Sequence, residues 1–251
     1  MHLFQVNHNE ESQLRELLQQ MPENIKMKNT DIKRIWMYGK IANIKKELGK
    51  EFTQLVIGRN YIYRDSFEQF RTVTNLSLQK PLKIFFIDED AQDAGGLLRD
   101  WLTVLIQEMF KPEHGFFLKA DTAELSYIIN RFSEQYNKDH LDNFFFIGQV
   151  IGKALFERVP ISAFLNQTIF KYLLDLKIEY KDLEYYDFQV YVSLQFLFET
   201  TIDKTELSTD YVARERNPRD GEMVENELIE NGRKILVTEE NKHDFIERQY
   251  Y

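Results

Sequence analysis

Cysteine is absent from all 251 residues of the chain. Without it there are no disulfides, no thiolate metal sites and no cysteine nucleophiles. The absence also speaks against a small secreted scaffold, which usually needs covalent staples. Glycine and proline are scarce, at 10 and 5 residues, so long disordered linkers are not expected. Basic charge is in deficit too: 32 Lys and Arg against 41 Asp and Glu leave a formal net charge of -9. Nucleic acid and anionic membranes both require a basic footprint, and neither is an expected partner. The local cluster Lys26, Lys28, Lys33 and Arg34 reads as a solvated helix face. No apolar run approaches the roughly 20 residues that cross a bilayer. The opening Met1-His2-Leu3-Phe4-Gln5-Val6-Asn7 lacks the basic start and apolar run of a signal peptide. An intracellular location, cytoplasmic or nuclear, is the expectation.

Aromatic residues are plentiful instead: 20 Phe and 13 Tyr, beside 2 Trp, in a chain that is 43% hydrophobic. Each buried ring removes a large apolar area from water, so core material is ample. Helical spacing dominates. Residues 11–20 carry Leu14, Leu17 and Leu18 in a short amphipathic pattern. Residues 31–48 place Ile32, Ile35, Trp36, Ile44 and Leu48 near one face, and Gly49 stands where a left-handed cap belongs. Residues 54–57 read as a strand, and Asp65 with Glu68 fits a capping box at a helix start. Residues 82–87 have the length and the Ile and Phe content of a strand buried on both faces. Gly95-Gly96 allows a sharp turn from that strand into a helix, which runs to about Phe110 and stops before Pro112. A turn at Gly115 leads into a short strand over 116–118.

The most apolar segment, 141–159, predicts a buried helix ended by Pro160, and 163–174 predicts another. Asp187 is placed to cap a third, with Val190, Leu194 and Leu197 along its buried stripe. Residues 207–214 and 233–237 look extended, with the turn cluster Asn217-Pro218-Arg219-Asp220-Gly221 between them. Thr238 reads as the cap of a last helix, whose first turn would hold Glu239 and Glu240. The fold class expected is α+β, predominantly helical with short strands and hairpins.

Chemistry-bearing motifs fail one after another. Gly148-Gln149-Val150-Ile151-Gly152-Lys153 has one residue too few between its glycines for a phosphate loop, and Ala154 replaces the hydroxyl that would bind magnesium. Its glycine spacing instead suggests close approach of two helices. A calcium loop starting at Asp88 would need glycine at Asp93 and glutamate at Arg99. His2, His8, His114, His140 and His243 show no zinc-ligand spacing, and no Gly-x-Ser-x-Gly elbow occurs. No metal site and no cofactor is expected.

One set of motifs does stand in a fixed order. Arg64-Asp65-Ser66-Phe67 precedes Leu82-Lys83-Ile84-Phe85-Phe86 and Asp93-Ala94-Gly95-Gly96-Leu97-Leu98-Arg99-Asp100-Trp101. Phe146-Ile147-Gly148, Gly152-Lys153-Ala154-Leu155 and Tyr191-Val192-Ser193-Leu194 follow. Asn231-Gly232 and Val237-Thr238-Glu239-Glu240-Asn241-Lys242 complete the series. The ordered set resembles the large N-terminal lobe of the HECT family of ubiquitin-protein ligases, from roughly Leu55 onward. Read by themselves, Asp65, Asp93, Gly95, Gly96, Gly148, Gly152, Asn241 and Lys242 are fold-defining positions rather than catalytic ones.

Residues 1–50 carry none of these motifs and read as a helical extension, while the resemblance implies a partial HECT domain over 51–251. It implies transfer of ubiquitin through a cysteine thioester, with ubiquitin, a ubiquitin-conjugating enzyme and substrate proteins as partners. In the family's order the thiol-bearing lobe and the conjugating enzyme's docking subdomain follow the helix starting near Thr238, so the chain alone is expected to be inactive. A noncovalent ubiquitin surface is the family feature that could remain, here at Phe117, Tyr127, Leu194 and Phe198. In a chain so rich in Phe and Tyr, plain core filling is the favoured reading of these side chains. A non-catalytic ubiquitin-binding or decoy module is the alternative function.

Overall fold

The computed structural model describes residues 20–49, 51–89, 94–122, 125–202 and 208–250. They form an α+β structure, about half helical, with three two-stranded sheets among the described residues. Two compact units are distinguishable: the residues up to Trp101 with Gly152–Val159, and Leu102–Ile151 with the residues from Pro160 on. The amphipathic segment expected over 11–20 lies, except for Gln20, outside the described residues.

In the first unit, helix α1 (Glu23–Lys26) leads into α2 (Thr30–Glu47). Asn29 caps α2, its Oδ1 accepting from the Ile32 amide at 3.1 Å, and Gly49 lies beyond the end at φ 73°. The buried residue of α2 is Ile41, whereas Ile32 and Ile35 are exposed. The apolar face expected from those isoleucines is therefore rotated: Ile41 anchors the helix instead.

Strand β1 (Thr53–Ile57) pairs in parallel with β2 (Leu82–Phe86), Leu55 opposite Ile84. Parallel strands need a long crossover, here the 3-10 turn Arg59–Tyr61, helix α3 (Ile62–Phe70) and helix α4 (Asn75–Gln79). Leu55, Ile57, Leu82, Ile84 and Phe86 are buried while Val56 and Phe85 are exposed. This period-two alternation marks a strand with one covered face, correcting the expectation that both faces of β2 are buried. On the outer edge of β1, the Gln69 side chain accepts from the Val56 amide at 3.0 Å and donates to the Val56 carbonyl.

Asp65 is not a helix cap. The 3-10 turn brings the start of α3 to Ile62, leaving Asp65 in the helix's first turn. Its carboxylate accepts from the Gly58 amide at 2.9 Å and from Arg64. Helix α5 (Ala94–Met109) contains Gly95 and Gly96 in its first turn rather than in a turn before it. It buries Trp101, whose indole N–H donates to Ser66 Oγ at 2.9 Å.

The last turn of helix α6 (His140–Phe156) belongs to this unit. Arg158 takes a left-handed conformation at φ 57°. The Val159 amide then donates to the Ala154 carbonyl at 2.9 Å, and the Arg158 amide to Leu155 at 3.1 Å. That pair of bonds closes the helix end, three residues before the expected limit. Nor is α6 buried all round, since Leu141 and Phe145 are exposed.

In the second unit, β3 (Phe117–Lys119) runs antiparallel to β4 (Tyr127–Ile129). Gly115 precedes it at φ 64°. Helix α7 (Gln167–Leu173) starts later than expected, capped by Asn166. The reason is a competing bond pattern: Tyr127 N donates to Phe164 at 2.7 Å, and Asn166 N donates to Tyr127 at 2.8 Å. These bonds hold the preceding residues extended beside β4. Helix α8 (Phe188–Glu199) does begin at Asp187, whose Oδ1 accepts from the Val190 amide at 3.0 Å.

The hairpin β5 (Val212–Arg216) and β6 (Met223–Glu227) closes through the expected turn at Asn217 to Gly221. Residues 208–211 precede the strand, and the expected extended piece at 233–237 begins as a 3-10 turn, Gly232–Lys234. Helix α9 (Lys242–Gln249) starts four residues after Thr238, with Asn241 at its N-cap position. Thr238 does not cap it. Instead the Asn241 side chain accepts from the Thr238 amide at 2.7 Å and donates to the Leu236 carbonyl at 3.1 Å.

Candidate functional site

Phe117 and Tyr127 meet through a third ring. Phe110, just past the end of α5, stacks on Phe117 at 4.4 Å and tilts against Tyr127 at 4.9 Å. Phe144 of α6 closes the group edge-on to Phe116 and Phe117. Phe117 is buried and Tyr127 only half-buried. Phe117 pairs with Ile129 and Lys119 with Tyr127, so both rings lie on the same face of the hairpin, where both pack on Phe110.

Leu194 and Phe198 stand one helical turn apart on α8. Leu194 is buried with Leu183, Leu197, Tyr211, Val237, Phe245 and Ile246 in one cluster. Phe198 is 46% exposed. Its ring stacks on Tyr180 at 6.0 Å and meets His243 edge-on at 5.2 Å. The four residues thus form two separate pairs, each with one buried and one more exposed member. Tyr127 and Phe198 can present apolar surface to a partner; Phe117 and Leu194 hold the elements that carry them.

The motif residues Asn241 and Lys242 fasten α9 into this unit. Besides its side-chain bonds, Asn241 accepts the phenol of buried Tyr211 on its backbone carbonyl at 2.8 Å. Lys242 is buried yet satisfied, donating to the Thr200 carbonyl at 2.9 Å and pairing with Glu239 at 2.8 Å. Gly232 lies so close to Tyr211 that a Cβ there would be 2.4 Å from its carbonyl oxygen. The turn at Asn231, left-handed at φ 58°, agrees with the reading of Asn231-Gly232 as a tight turn. Tyr211 itself carries no sequence signal, because a lone tyrosine before a short strand has no distinctive spacing.

Gly148 and Gly152 do not permit a close approach. A Cβ at either would meet no heavy atom within 4 Å; the missing side chains leave an open helix face. Asp93 lies outside the described residues.

A buried electrostatic cluster lies in the other unit. Lys153 Nζ is buried and donates to the Lys80 carbonyl at 2.9 Å and to Glu157 at 2.5 Å. Lys45 of α2 reaches the same carboxylate at 2.6 Å. Burial depresses the Lys153 ammonium, against the opposing pull of Glu157. Burial pushes the Glu157 carboxyl up, but hydrogen bonds from Lys153 and Lys45 outweigh it and hold the group below its usual range. This arrangement fixes a helix end. Among the described residues, no three or more His, Asp or Glu are grouped to hold a metal ion, and no helix is long and apolar enough to cross a membrane.

The chain belongs to the HECT-domain (ubiquitin-transferase) family, whose model matches residues 103–250. Similar proteins include the E3 ubiquitin-protein ligase HUWE1 of Mus musculus, 29% identical over 222 residues, which are 88% of this chain and 5% of that protein. The E3 ubiquitin-protein ligase TOM1-like of Neurospora crassa is 35% identical over 77% of this chain and 5% of its own length. The E3 ubiquitin-protein ligase pub1 of Schizosaccharomyces pombe is 35% identical over 76% and 24% respectively. The chain spans a small part of these relatives.

Proposed function

We propose that this chain serves as the scaffold part of a HECT-type ubiquitin-protein ligase acting inside the cell, with the reacting thiol supplied from outside these 251 residues. The single observation behind the reading is family membership in a chain with no cysteine. In the proposed reaction, a cysteine thiolate attacks the thioester joining ubiquitin to a conjugating enzyme. A new carbon–sulfur bond forms, the old one breaks, and the conjugating enzyme leaves as its thiolate. A substrate lysine amine then attacks the second thioester, forming an amide and releasing the ligase thiol. No side chain of this chain takes the nucleophile's role.

Two measurements test this. Incubation of the chain with activating enzyme, conjugating enzyme, ATP and labelled ubiquitin should give no reductant-sensitive adduct, and such an adduct would overturn the assignment of the thiol elsewhere. Reading the coding sequence after Tyr251 should show a cysteine-bearing region in frame; an immediate stop codon would favour the second reading.

That second reading is a noncovalent ubiquitin-binding or decoy module. The partial exposure of Tyr127 and Phe198 supports it, with Phe117 and Leu194 as their buried neighbours. Titration of isotope-labelled ubiquitin with the chain should move a localised set of amide signals, and Phe198→Ala should weaken the shifts. Unchanged spectra up to millimolar chain would remove the reading.

A further inference from the structure

We draw no further inference here: the strongest candidate, the exposed apolar stripe of Phe188, Val192 and Phe196 along helix α8, carries nothing, because nothing in the structure shows what covers it.

Discussion

The phenol of Tyr211 donates to the backbone carbonyl of Asn241 at 2.8 Å, joining the residue before β5 to the first turn of α9. Tyr211 is almost completely buried. The same carbonyl also accepts from the Phe245 amide at 3.0 Å, so removing the hydroxyl takes away one of its two hydrogen bonds and leaves the carbonyl satisfied. Tyr211→Phe should therefore cost about 0.5–1.5 kcal/mol, the net worth of one intramolecular hydrogen bond. A urea midpoint unchanged at constant m value would show that the bond contributes nothing.

Glycine substitutions separate two roles. Gly115 is left-handed, and a Cβ there would lie 2.1 Å from the Tyr136 ring. Gly115→Ala combines backbone strain of roughly 1 kcal/mol with overpacking of about 1–3 kcal/mol. Thermal denaturation should begin far earlier than in the parent chain.

Gly148→Ala should do the opposite. The site is inside a helix and open to space, so alanine relieves an entropic cost of roughly 0.5–1 kcal/mol without a clash. A lower melting temperature for this variant would mean that the helix face is covered after all.

Acid should loosen the end of α6 through Glu157. Hydrogen bonds from Lys153 and Lys45 hold its folded-state value below the ordinary glutamate range, so the unfolded chain binds more protons between the two values. The contribution is complete above about 4.5 and is lost as pH falls through the depressed folded value. Glu157→Gln should flatten this part of the stability profile. It should also cost about 3 kcal/mol at neutral pH, because Lys153 stays buried with its carboxylate gone. Parent and variant profiles that run parallel between pH 5 and 3, in the rough window set by carboxylate titration, would contradict the assignment.

Local chemistry was readable where one side chain settles one backbone choice. Asp187 caps α8 because its short carboxylate reaches the Val190 amide, and Gly49 and Gly115 occupy left-handed positions. Asp65 and Thr238 were misleading for a shared reason: each has the right residue type, but a neighbouring turn shifts the helix start. The Arg59–Tyr61 turn brings the helix in ahead of Asp65, and Asn241 claims the start of α9. Strand β6, Met-Val-Glu-Asn-Glu, was illegible because no alternating apolar face announces it. It exists by pairing with β5. The candidate ubiquitin surface was legible as a set of aromatic and aliphatic residues, but not as buried and more exposed members. That division depends on packing against Phe110 and Tyr180, which lie on other elements than their partners and show no pairing by spacing.

Gln69 acts as a stand-in for a third strand. Its amide presents one acceptor and one donor to Val56, the same two groups that a neighbouring peptide unit would offer. A stranger's backbone would have to evict the amide before it could dock beside β1. The two-stranded sheet therefore has a built-in stopper against growth by strand addition at this point, supplied by one side chain on the crossover helix.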